Sequence, residues 1–333
     1  MTSKRLRFQG LVDRFAGRKV AVWGDFILDE YLYGQTRRIS REAPVLIISY
    51  QDREFSLGGA GNSVLNLKSL GAEPVPVGVL GRDESGDKVC EILKDHGVST
   101  RCLLRLPDYQ TPVKTRVLAG EENTKKQQIL RIDKEGSVPD SVRLRKRLVG
   151  MLKYIAVGAE ALLISDYSYM TVQEEVFAAA LPPFKKAGKP VTLDSRYRLL
   201  HFQGITAATP NEPEVEAALH LELDDNPLIL KRAGDILLKN LRSAALLITR
   251  GSRGMALFEK GKPPFLLPVH GPTDIVDVTG AGDTVISVFT LALACGASFR
   301  EATILANHAG GIVVMKKGTA TLSPGELKAS LSK

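Results

Sequence analysis

Short apolar runs rich in β-branched residues, separated by stretches of helical periodicity, most limit what this 333-residue chain can fold into. "KVAVWGD" (19–25) reads as a buried strand ending at Gly24-Asp25. "VPVGVLG" (75–81), "EALLISDY" (160–167), "PVTLDS" (190–195) and "AALLITR" (244–250) are of the same kind. Helical stretches such as "SVLNLKSLGA" (63–72), stopped by Gly71, and "SGDKVCEILKDHGV" (85–98), stopped by Gly97, lie among them. This alternation predicts a doubly wound α/β fold, a mainly parallel sheet with helices on both faces. Such sheets bind ligands beyond the carboxyl ends of their strands. Asp25, Asp166, Asp194 and Thr249-Arg250 stand at those ends and together are candidates to line one cleft, although for any single one of them capping the next turn is the first reading.

Two segments, 30–59 and 108–133, break the alternation with β-branched runs that lack helical spacing. They read as antiparallel strands inserted into the core, forming a small flap over the strand-end cleft. With 44% hydrophobic residues the chain can fill a core without disulfides. Its three cysteines show no CxxC pairing and its five histidines no metal-ligand spacing. The net charge of +8 suggests an affinity for anions. The basic residues are scattered, however, and the run Arg143–Arg147 reads as a solvated helix face. No nucleic-acid-binding pattern is present, no apolar run reaches membrane-spanning length, and the N-terminus lacks the apolar core of a signal peptide. A cytoplasmic chain with no nucleic-acid or membrane partner is expected.

"DVTGAGDTVISVFTLALACG" (277–296) carries the chemistry. The run after Asp283 is apolar nearly all round, as a core helix requires, and Gly296 suits its end. First-turn N–H groups of a helix lack internal partners and carry partial positive charge. Gly280, Ala281 and Gly282 let the backbone approach closely, so the turn makes an anion pocket suited to a phosphoryl group. A carboxylate there is repelled by phosphate. Asp283 makes sense if it accepts the proton of a hydroxyl that attacks the phosphate; otherwise it is a helix N-cap. No GxxxxGK[ST] is present, which excludes a P-loop protein.

"DVTGAGD" before a buried helix resembles the second signature of the ribokinase-like (PfkB) sugar kinases. "LGGAGNSVLNLKSLGA" (57–72) resembles their first signature, "TPNEPEVEAA" (209–218) their Asn-Pro-x-Glu-like motif, and "LLITRGSRGMALF" (246–258) their nucleotide-side hairpin. The resemblance spans nearly the whole chain and implies one ribokinase-like kinase domain over residues 1–333, with flap segments at about 30–57 and 108–133. Within the family the chain is most similar to the D-glycero-β-D-manno-heptose-7-phosphate kinases. That similarity lies in "GDFILDEYLYGQTRRISREAPV" (24–45), "VKTRVLAGEENTKKQQILRID" (113–133), "SDYS" (165–168) and "VDVTGAGDTVI" (276–286).

The resemblance implies that Asp25, Asp29, Gly58, Gly59 and Asn62 meet the acceptor sugar; Asn62 reads equally as an N-cap for 63–70. A phosphorylated acceptor needs a second anion site. Arg37, Arg38, Lys114, Arg116 and Arg131 of the flap are the candidates, with Arg38, Arg116 and Arg131 favoured. Asp194, Asn211, Thr249, Gly251, Gly254 and Asn307 are placed on the nucleotide side. Asn211 and Glu214 are placed near Mg²⁺ and its waters. ATP and Mg²⁺ are the implied cofactors, with a monovalent cation as a further candidate. The chain departs from the heptose kinases at Tyr169 and Met170, where Lys and Gly are usual, and at Asp194-Ser195-Arg196, where Asp-Pro-Lys is usual.

The expected activity is ATP-dependent phosphorylation of the C1 hydroxyl of a heptose 7-phosphate, giving the 1,7-bisphosphate for ADP-heptose synthesis. The alternatives are the same chemistry on another sugar or sugar phosphate, and a non-catalytic sugar or nucleotide sensor, which would gain from losing Asp283. A homodimer through the flap edges is the expected assembly.

Overall fold

The computed structural model describes residues 3–121, 126–223, 226–271 and 275–332. The chain opens with α1 (Ser3–Asp13) and β1 (Lys19–Gly24), then a long hairpin, β2 (Phe26–Ile39) and β3 (Leu46–Gly59). There follow α2 (Ala60–Ser69), β4 (Glu73–Gly81), α3 (Glu84–Asp95) and β5 (Leu103–Leu106). A second excursion, β6 (Val113–Gly120) and β7 (Gln127–Lys134), leads to α4 (Val142–Gly158), β8 (Ala161–Asp166), α5 (Glu174–Lys186), β9 (Val191–Ser195) and β10 (Ala207–Ala208). The remainder is α6 (Glu212–Leu219), α7 (Pro227–Leu241), β11 (Ala245–Thr249), β12 (Met255–Glu259), β13 (Phe265–Leu267), α8 (Ala281–Ala294), α9 (Phe299–Val313) and α10 (Pro324–Ser330).

Nine strands form the main sheet in the order β13-β12-β11-β10-β9-β8-β1-β4-β5. Seven of them, β11 through to β5 in that order, run parallel; β12 and β13 close one edge antiparallel. Each face is covered by its own apolar cluster. One joins Val20, Val22 and Leu163 to α8 and α9; the other joins Ala21, Trp23 and Ile164 to α4, α5 and α7. The alternating strand residues thus go to opposite faces, as a sheet buried on both sides requires. The expected doubly wound architecture is present.

The flap is a separate four-stranded sheet, β3-β2-β6-β7. It begins earlier than expected, at Phe26 directly after Asp25, because β2 continues from β1 with a single residue between them. It is also not wholly antiparallel: β2 pairs with β6 in parallel, Leu28 to Val113 through Gln35 to Gly120. The flap segment at 122–125 lies outside the described residues. On the basic run, Leu144 and Leu148 are buried while Arg143, Lys146 and Arg147 are exposed along α4, as a solvated face should be.

Candidate active site

The glycine turn before α8 sets the site. Gly280 is the N-cap, at φ 75, and Asp283 lies inside the first turn. The N-cap reading of Asp283 is therefore corrected. A Cβ on Gly280 would strike the side-chain nitrogen of Asn62, so the close approach as well as the left-handed φ requires glycine. A Cβ on Gly282 would meet nothing within 4 Å, which leaves the helix start open to a ligand. The expected amide cradle needs one correction: the Ala281 N–H donates to Val278 O at 3.2 Å. The N–H groups of Gly280, Gly282 and Asp283 have no protein acceptor among the described residues and are the ones left for an anion.

Asp283 is 2% exposed. Asn62 Nδ2 donates to its Oδ2 at 2.9 Å, and the Tyr167 hydroxyl donates to its Oδ1 at 3.2 Å. Burial pushes the carboxyl up to about 7, partly offset by these two donors. Asn62 also donates to Gly280 O at 3.3 Å, tying α2 to the turn. It is not an N-cap: α2 begins at Ala60 with Gly59 as its cap, so Asn62 sits within the first turn facing α8.

A cavity of about 190 Å³ opens at Asp283, lined also by Asp166, Asp194, Thr209, Asn211, Glu214, Thr249, Gly280 and Gly282. Four strand ends, of β8, β9, β10 and β11, and two helix starts meet here, on the carboxyl edge of the parallel sheet where such folds bind ligands. Asn211 and Glu214 form a reciprocal capping box: Asn211 Oδ1 accepts the Glu214 N–H and Glu214 Oε2 accepts the Asn211 N–H, each at 2.9 Å. Burial raises both the Asp194 and Glu214 carboxyls, and for Asp194 the charge of Glu214 adds to the shift. Two crowded carboxyl groups, one with an oxygen outside the cap, fit a hard cation that keeps most of its waters. No cluster of three or more acidic, His or Cys ligands occurs among the described residues.

A second cavity, about 540 Å³, lies between the flap and the loop after β8, lined by Lys114, Arg131, Asp133, Tyr169 and Tyr197 among others. Tyr167 and Arg196 line both cavities. The Lys114 ammonium stands 5.0 Å from the Tyr167 ring centroid and the Arg196 guanidinium 5.9 Å from it. Burial holds the Lys114 ammonium below its ordinary value.

One face of the flap carries Asp29, Lys114 and Asp133 in one cross-strand row and Tyr31, Arg116 and Arg131 in the next. Arg116 and Arg131 are direct partners, a repulsive pairing unless countered. Arg116 Nη1 bonds Asp29 Oδ1 at 2.5 Å, and Arg131 Nε bonds Asp133 Oδ1 at 2.7 Å. A Cβ on Gly58 would come within 2.6 Å of Asp29 Oδ2, so glycine there makes room for that carboxylate.

The expected contacts of Asp25, Arg38 and Arg37 are corrected, whereas Asp166 does line the smaller cavity. Asp25 does not reach either cavity: it is 0% exposed, and its carboxylate accepts the backbone N–H groups of Tyr167, Tyr169 and Thr171. Arg38 is exposed near the far end of β2, opposite Ile47 and roughly 30 Å along the strand from Asp29. Arg37 beside it is exposed too. Asp166 is held by Arg198, at 2.8 Å, and by the Ser195 hydroxyl, at 2.7 Å. Gly251 and Gly254 flank the turn between β11 and β12, as expected of the hairpin. Asn307 is buried on α9 and donates to Pro268 O at 2.8 Å, joining that helix to the segment after β13.

Sequence reasoning missed Asn66 and gave Tyr167 no role. The Tyr167 signal was its place directly after a strand-end acid. For Asn66 it was the four-residue spacing from Asn62, which puts both amides on one helix face. The departure at Met170 also acquires a structural meaning: it holds φ 67°, in the left-handed region that glycine occupies at least cost, as does Ser168 at 66°.

The pfkB family carbohydrate kinase model matches residues 18–325. The bifunctional protein HldE of Nitrosococcus oceani is 40% identical over 319 residues, covering 95% of this chain and 64% of the relative. That of Pelobacter propionicus is 36% identical over 324 residues, covering 97% and 65%. The chain thus spans less than two thirds of these relatives' length. Arabidopsis thaliana ribokinase complexed with ribose and ATP shares the fold, with a TM-score of 0.72, 22% identity and coverage of 96% and 99%. So does phosphofructokinase-2 of Escherichia coli in complex with potassium, with a TM-score of 0.76, 20% identity and coverage of 95% and 100%. A family match over nearly the whole chain, joined to an open glycine turn beside a buried acid, leads to one conclusion: the chain belongs to the pfkB family of carbohydrate kinases, phosphotransferases that act on an alcohol group of a sugar.

Proposed function

We propose that the chain is one kinase domain that transfers the γ-phosphoryl group of ATP to the C1 hydroxyl of D-glycero-D-manno-heptose 7-phosphate. The observation that carries the reading is Asp283, a buried carboxyl near neutral pKa at the mouth of an open helix start. A base of that strength suits proton removal at physiological pH and is worth about 100- to 10,000-fold in rate. The free amides of Gly280, Gly282 and Asp283 face the position where charge builds on the transferred group. Asn211 and Glu214, with the Asp194 carboxyl beside them, would hold Mg²⁺ through water, and the ion would supply charge neutralisation on the ATP phosphates. Asn211, Thr249, Gly251, Gly254 and Asn307 are assigned to the nucleotide side. A monovalent cation remains a candidate on the potassium complex of the E. coli enzyme with the same fold.

Asp29, Gly58, Gly59 and Asn62 are assigned to the acceptor sugar, and Lys114, Arg116 and Arg131 to its phosphate. A phosphate dianion would take over the counterion role that Asp29 and Asp133 now fill. A coupled ATP assay with heptose 7-phosphate, the unphosphorylated heptose, fructose 6-phosphate and ribose tests this. Heptose 7-phosphate should be turned over best. Arg131→Ala should raise its KM about 10- to 100-fold while leaving the KM of ATP unchanged. Equal rates with the unphosphorylated heptose would contradict the phosphate assignment.

We also propose a homodimer through the flap. β3 and β7 are open edges, and Ile39, Leu46, Tyr50, Leu130 and Ile132 are exposed on the flap. A monomer in light scattering at working concentration would remove this proposal.

A further inference from the structure

We infer that Asn66 is a positioning residue for Asp283: it holds the Asn62 amide in the orientation that stabilises the carboxylate and blocks the one that would stabilise the acid. The inference rests on the reading of Asp283 as the base. Asn62 and Asn66 are fully buried, one turn apart on α2. Asn66 Nδ2 donates to the backbone O of Asn62 at 3.0 Å and to its Oδ1 at 3.1 Å. The backbone oxygen can only accept, so it dictates which end of the Asn66 amide points there. The other end, Oδ1, accepts the Thr284 hydroxyl at 3.1 Å. With an NH₂ group facing it, Asn62 must present Oδ1 to Asn66. Its own NH₂ therefore turns to Asp283 Oδ2 at 2.9 Å and Gly280 O at 3.3 Å.

Other groups act on Asp283 from the elements around it. Tyr167, from the loop after β8, donates to Oδ1. Asp29 on β2 raises the carboxyl and Lys114 on β6 lowers it. The charge of Asp283 in turn raises the Asp194 carboxyl on β9. Asn66 hydrogen-bonds to none of these; it reaches Asp283 through Asn62, and its bond to the Thr284 hydroxyl leads to the backbone of the turn, where that hydroxyl lies 3.3 Å from Gly280 O. Without Asn66, the Asn62 amide is free to turn its oxygen toward a protonated Asp283 and accept from it, opposed only by Gly280 O. The acid form gains a partner that the intact network denies it.

The test is an NMR titration of ¹³C-aspartate-labelled protein, with the Asp283 Cγ signal assigned by its loss in Asp283→Asn. In Asn66→Ala the midpoint should rise by about half to one pH unit, and in Thr284→Val by less in the same direction. Should Asn66→Ala fail to fold, Thr284→Val decides alone. Midpoints within about 0.2 unit of wild type in the folded variants would overturn the inference, because a merely structural role leaves the titration in place. The two readings fail separately. Turnover by Asp283→Asn would sink the base assignment while leaving the titration shift meaningful. Unmoved midpoints with an inactive Asp283→Asn would sink only the role of Asn66.

Discussion

The loop at 167–171 and the start of α8 each close around one buried carboxylate, and they do so with different donors. Asp25 accepts three backbone N–H groups and faces no cavity. Asp283 accepts one amide and one phenol hydroxyl and lines a cavity. Both carboxyls are pushed up, to about 6 and about 7, with burial the largest cause in each. Burial and a raised pKa therefore do not distinguish a structural acid from a chemical one here. The donors do. Backbone donors cannot be withdrawn without moving the loop, so Asp25 is committed. Two side-chain donors leave Asp283 with lone pairs on its open side.

The contrast can be broken or sharpened by substitution. Asp25→Asn should cost about 2–3 kcal/mol in chemical denaturation, because an amide NH₂ must then face a backbone N–H. If stability is unchanged, the loop does not depend on that carboxylate. Asp283→Asn should move stability the other way, by about 1–2 kcal/mol at pH 8. The sign follows from linkage. A carboxyl whose folded pKa lies above its unfolded value contributes its full stability below about pH 4 and loses it as pH rises through about 7. The variant's advantage in Tm should therefore grow over that window; a constant difference would mean that Asp283 is not held protonated by the fold. The smallest effect is expected at Ser168, which has φ 66 and a buried hydroxyl with no hydrogen-bond partner among the described residues. Ser168→Gly should stabilise by about 1 kcal/mol, read as a rise in Tm. No gain would show that the loop pays no penalty for its left-handed residues.

The same two regions show what the sequence made legible. Strand–helix alternation was enough for the doubly wound sheet, because a strand buried on both faces must be continuously apolar. The glycine turn and Asp283 were legible because a local pattern creates the helix-start pocket. Asp25 misled for the same reason: its position at a strand end was visible, but its aim was decided by amides more than 140 residues later. Arg38 misled because strand length, and hence its distance from the cleft, depends on where pairing stops. The parallel β2–β6 pairing and the link from Asn62 to Asp283 across 221 positions are tertiary facts with no local signal.

Catalysis by Asp283 is tested most directly by single-turnover phosphoryl transfer in Asp283→Asn, with ATP affinity measured in parallel. The account predicts transfer slowed by about 1,000-fold or more with ATP affinity within about twofold of wild type. Transfer within about tenfold of wild type would contradict it.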